Sequence, residues 1–91
     1  MAQFLHVSFN WKTTTPDLTK INDALNQAPD WMRYAPNCWI IWTNESPQTW
    51  NDRLKQFLTG QDTLLICKLD TSTKQGMLFK WMWDWINKAR Y

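Results

Sequence analysis

The chain has two glycines, two cysteines, one histidine and no long apolar run. Each scarcity excludes something. With only Gly60 and Gly76, no glycine-rich phosphate loop or dinucleotide fingerprint can be written. Cys38 and Cys67 are too few for the disulfide framework of a small secreted domain, and each lies in an apolar strand-like run, where a free cysteine acts as a small hydrophobe. No segment approaches the ~20 apolar residues of a membrane span. The start lacks the basic-then-apolar pattern of a signal peptide, so a cytoplasmic protein without membrane association is expected. Ten basic against eight acidic side chains leave +2, too small a bias to mark a nucleic-acid binder by charge alone. What is abundant is tryptophan: eight in 91 residues. A chain of this length buries roughly 65% of its unfolded surface, enough for one core, so residues 1–91 are expected to form a single domain.

Periodicity divides the chain into six short pieces and a terminal one. Phe4 to Phe9 alternates, with Leu5, Val7 and Phe9 on one face and Phe4, His6 and Ser8 on the other. Thr15 as N-cap and Pro16 at the first helical position open a helix carrying Leu18, Ile21 and Leu25, which Pro29 closes. Trp31 to Tyr34 and Cys38 to Thr43 read as strands joined by a turn at Ala35, Pro36 and Asn37. Ser46 and Pro47 repeat the helix-start signal ahead of Trp50, Leu54, Phe57 and Leu58, and Gly60 is the expected stop. Thr63 to Leu69 is the fourth strand. The order βαββαβ predicts an α+β, ferredoxin-like sheet with both helices on one face, the first and third strands central and the second and fourth at the edges. Cys38 and Cys67 then lie two strand spacings apart, about 9.6 Å, beyond disulfide reach.

The remaining segment, residues 75–91, predicts an added C-terminal helix, with Met77 to Tyr91 apolar around most of its circumference. The third and fourth strands are also apolar at both parities: Cys38, Ile40 and Trp42 against Trp39 and Ile41, and Leu64 and Ile66 against Leu65, Cys67 and Leu69. A sheet with one wet face would alternate. The second face therefore needs a cover, either the terminal helix or a second subunit, and a homodimer is expected.

The stretches FLHVSFN, NCWIIWT, DTLLICKL and KWMWDWINK span nearly the whole chain. In these the chain resembles the small bacterial and phage proteins of the SinR family, and more distantly the ferredoxin-like CRISPR-adaptation nucleases and VapD-type ribonuclease toxins. The resemblance implies the fold and the dimer. The nucleases place an aspartate at the end of the first strand, where this chain has Ser8, Phe9, Asn10 and Trp11, with Asn10 at the matching position. A neutral amide is a poorer ligand for a hard cation than a carboxylate, so the resemblance does not carry hydrolysis with it. The acid expected to stand nearest is Asp70, leaving the fourth strand.

No cofactor, metal site or catalytic set is expected. His6 between Cys38 and Cys67 lacks a fourth ligand and zinc-motif spacing. As a base it has Ser8 along the same strand but no orienting acid. Trp39, Trp50, Trp81 and Trp85 are core candidates. Lys80, Lys88 and Arg90 suit the end of the terminal helix. The candidate binding residues are Asn10, Trp11 and Lys12, together with Trp31, Arg33 and Tyr34, because rings interleaved with cations hold bases. The leading expectation is a non-catalytic homodimeric module binding nucleic acid or a nucleotide. The alternatives are a degenerate metal-dependent nuclease and a phage-type protein that sequesters a host signal molecule or protein.

Overall fold

The computed structural model describes residues 2–12 and 17–90. The elements run β1 (Gln3–Asn10), α1 (Leu18–Leu25), β2 (Asp30–Ala35), β3 (Cys38–Thr43), α2 (Pro47–Leu54), β4 (Thr63–Leu69) and α3 (Lys80–Asn87). The architecture is α+β. One four-stranded sheet has the order β2-β3-β1-β4, and every neighbouring pair is antiparallel. No helix among the described residues is long and apolar enough to cross a membrane.

Helix starts follow side-chain chemistry. The expected N-cap Thr15 and first helical residue Pro16 lie outside the described residues. The cap of α1 is Asp17, whose carboxylate accepts from the Lys20 N–H at 3.3 Å. Ser46 caps α2 by accepting from the Thr49 N–H at 3.2 Å, with Pro47 at the first helical position. Gly60 does not stop this helix. It ends at Leu54 and tightens into one 3-10 turn over Lys55–Phe57. Gly60 instead supplies a φ of 58° to the turn that launches β4, a conformation any Cβ would strain.

The alternation of β1 decides the layers. Leu5, Val7 and Phe9 join Trp39 and Ile41 from β3, and α1 and α2 both cover this face with Ile21, Ala24, Leu25, Trp50 and Leu54. Trp39 and Trp50 are fully enclosed, as expected of core residues. On the opposite face Met32 and Ile40 pack against Met82 and Ile86 of α3, flanked by Phe4, Tyr34, Leu69, Leu78 and Trp85. The terminal helix is thus a cover for the second face, but a partial one. It spans only Lys80–Asn87 within the expected 75–91, because residues 70–79 are spent crossing from the sheet edge. Two turns expose one stripe inward. Trp81, expected in the core, points away from the Met82 and Ile86 stripe and is 54% exposed, while Trp85 is half-buried. Cys67 is also exposed rather than buried, since α3 does not extend over the outer half of β4. Leu65, on the same face, is 61% exposed.

Arg90 anchors the chain end. Its side chain is 7% exposed, 3.2 Å from Asp30 Oδ2, with the guanidinium 4.2 Å over the Trp85 ring and 5.1 Å over Phe4. Burial alone would raise the Asp30 carboxyl, but the Trp85 indole, Arg90 and Lys88 outweigh it and hold the carboxyl below its ordinary value. A depressed folded-state pKa gives stability that is complete above the unfolded value and lost as the pH falls through the folded one. Replacing Arg90→Gln is expected to cost on the order of 2 kcal/mol at pH 7, because Asp30 loses its partner. Thermal melts should show the wild-type margin over this variant shrinking below about pH 3.9. A margin independent of pH would assign the loss to packing alone.

Candidate functional site

The expected binding residues are not brought together. Asn10 ends β1 opposite Thr63, with Trp11 and Lys12 beyond it. Trp11 lies flat on Phe9 at 4.6 Å and 8°, and the Lys12 N–H donates to Asp62 Oδ1 at 2.7 Å. Trp31 sits toward the opposite end of the sheet, because β2 runs parallel to β1 through β3. Its indole N–H donates to Asn26 Oδ1 at 2.9 Å. Arg33 donates from Nε and Nη2 to the Pro36 carbonyl, at 3.1 and 2.8 Å. The Trp11 ring, the Trp31 indole N–H and the Arg33 guanidinium are thus engaged within the fold, while the Trp11 indole N–H is buried without a hydrogen-bond partner. Asp70 is also not the acid nearest Asn10. It follows Leu69, which pairs with Phe4 at the far end of β1, about 20 Å away at ~3.4 Å per strand residue. Antiparallel pairing puts Asp62, not Asp70, beside Asn10.

Tyr34 stands apart from that set. A bulge between Arg33 and Ala35 leaves it without a direct partner on β3, and its side chain joins the second face. There it reaches over β3 to His6 on β1, with Tyr34 Oη 2.5 Å from His6 Nε2 and the rings 5.6 Å apart. Burial pulls the His6 imidazole below its ordinary value, so it is neutral at pH 7. Burial and the neighbouring Cys38 sulfur push the Tyr34 phenol up to about 12, so it keeps its proton. The pair is therefore a neutral phenol hydrogen-bonded to a neutral imidazole through Nε2.

This pair lines a cleft of about 360 Å³ between the sheet, the 70–79 crossing and α3. Ile40, Leu69, Leu78 and Ile86 form apolar wall, Trp83 forms one side, and Asp70, Thr71, Thr73, Lys74 and Gln75 form a polar rim. Asp70 is bound into its own turn, accepting from the Ser72 N–H at 2.9 Å. Hydrogen bonds from the Ser72 side chain and its N–H, with the nearby Lys68 charge, hold its carboxyl below the ordinary value. Lys74 Nζ donates to the Thr71 carbonyl at 2.9 Å, pinning the rim. An apolar pocket of this size with a few convergent polar groups suits a small flat ligand.

Among the described residues no group of three His, Cys, Asp or Glu side chains could hold a metal ion. Cys38 and Cys67 are both free, on β3 and β4 with β1 between them. Sequence reasoning placed Tyr34 among the candidates but missed Trp83 and Lys74 as its companions. The one signal for the cleft was His6, a polar residue in an apolar strand. No family model, curated protein or solved structure matches the chain, so its function is argued from these side chains.

Proposed function

We propose that the chain is a ferredoxin-like βαββαβ domain with an added C-terminal helix, working as a non-catalytic homodimer that binds nucleic acid or a nucleotide through the base. The strand order with central β1 and β3, and both inner helices on one face, support the fold assignment. The kinship with SinR-family proteins rests on the same sequence stretches as before. The observation that carries the binding reading is the His6–Tyr34 pair set beside Trp83 in one cleft. A base is flat, apolar on its faces and polar on its edges. Trp83 offers a ring to stack on, neutral His6 and Tyr34 offer edge hydrogen bonds, and the Lys74 ammonium at the rim matches a phosphate. The exposed Leu65, Met77, Phe79 and Trp81 support self-association. Two free thiols suit the cytoplasm.

Titration with nucleoside monophosphates and short single strands, followed by the indole N–H resonances, tests the reading. The Trp83 signal is expected to shift saturably, and His6→Gln or Tyr34→Phe to weaken binding about tenfold, one lost hydrogen bond each. Shifts confined to Trp11 and Trp31 would move the site away from the cleft. No shift with any of these ligands would refute base binding. Cleavage of the strands with Mg²⁺ or Mn²⁺ would promote a nuclease.

A further inference from the structure

We propose that the homodimer forms by antiparallel pairing of β4 with β4 of a second copy, centred on Leu65; this rests on the homodimer reading above. The sheet order leaves β2 and β4 as its edges, and the two edges differ. β2 is broken by the bulge between Arg33 and Ala35, and a bulge is one way an edge is blunted against pairing. β4 is seven residues, TLLICKL, with no proline, no glycine and a single charge, Lys68. Its outer N–H and C=O groups face no other strand, and Leu65 stands 61% exposed on the half of the face α3 leaves bare.

Charge decides the register. When two copies pair antiparallel with like faces on the same side, opposed residues have the same parity, so the axis passes through a residue. An axis at Leu64 sets Lys68 against Gly60 in the turn, where the ladder ends. An axis at Ile66 sets Asp62 against Asp70, a like-charge pair. An axis at Cys67 sets Lys68 against Ile66 and Asp70 against Leu64. An axis at Leu65 places Leu65 on its copy, Leu64 on Ile66, Thr63 on Cys67, and Lys68 opposite Asp62, twice over. An axis at Leu69 would also oppose Lys68 to Asp70, but it lies at the last residue of β4 and leaves almost no ladder, so among axes within the strand body only Leu65 sets opposite charges face to face. Asp62 already accepts from the Lys12 N–H and from the Thr59 N–H and hydroxyl, and its negative charge attracts the facing ammonium alongside those contacts. The two copies then form one continuous eight-stranded sheet with the clefts on the same side.

Leu65→Cys reads the axis directly, since directly opposed residues sit about 4.5–5.5 Å apart at Cα, within disulfide range. Mild oxidation of this variant should give a covalent dimer in high yield. The native protein should not crosslink through Cys67, whose two copies are offset along the strand by about 14 Å in this register. Leu65→Glu places like charges on the axis and should shift light scattering to a monomer that still melts cooperatively, because Leu65 is exposed in the single copy, with a melting temperature lower only by the lost association and no longer dependent on concentration. Lys68→Glu should weaken the dimer at least tenfold. A wild-type monomer at every concentration would overturn both the homodimer reading and this interface. A dimer that survives Leu65→Glu and does not trap Leu65→Cys would keep the homodimer and overturn the β4 edge. Native crosslinking through Cys67 would overturn the register.

Discussion

Removing the residues from Gly76 onward is expected to yield an aggregated or unfolded product. The deletion takes away Met82 and Ile86, which are 6% and 9% exposed, and strips the cover from Met32 and Ile40. It also removes Arg90, leaving Asp30 without its guanidinium partner. Truncating one buried Met or Ile costs about 2–5 kcal/mol, and a domain of this kind holds only about 5–15 in total. Two such losses with an orphaned carboxylate consume most of that. The residues responsible are Met82 and Ile86, not the exposed Trp81. Circular dichroism melts and light scattering provide the measurement. A soluble fragment that melts cooperatively would show that α3 is an accessory arm.

Trp50→Ala should be the most costly single substitution on the other face. Trp50 is fully buried between α2 and the sheet, its indole N–H donates to Thr43 Oγ1 at 3.1 Å, and the Arg53 guanidinium lies 4.5 Å over its ring. Arg53 is itself held by two 2.9 Å contacts to the Glu45 carboxylate. The expected loss is about 3–5 kcal/mol from the cavity and the removed surface. Trp50→Phe separates the contributions. It keeps most of the volume, and Thr43 Oγ1 still accepts from the Glu45 N–H at 3.0 Å, so the loss should fall to about 1–2 kcal/mol. Urea unfolding with an unchanged slope would confirm a native-state effect. Equal losses for both variants would mean that the hydrogen bond, not the packing, holds α2 in place.

The six inner elements were legible in the sequence because short-range rules govern them. The two-residue period of β1 assigns Leu5, Val7 and Phe9 to one face whatever packs there, and Ser46 with Pro47 starts α2 by satisfying its own first turn. The doubly apolar strands also announced, without any coordinates, that the second face needed a cover. What covers it, and how far, was decided in three dimensions. The periodic pattern of Met77 to Tyr91 cannot show that residues 70–79 are used to cross from the sheet edge, nor that two turns leave Trp81 facing outward. The candidate site divides the same way. Trp11 and Trp31 looked like free rings although their partners are near in sequence, because closeness along the chain does not fix orientation: only the folded backbone lays Trp11 flat on Phe9 and turns the Trp31 indole toward the Asn26 side-chain carbonyl. His6 and Tyr34 lie 28 positions apart, and only the bulge in β2 and the reach across β3 make them a pair. Asp62 rather than Asp70 stands beside Asn10 for the same reason: antiparallel register, which no local pattern encodes, reverses the order of the two ends of β4.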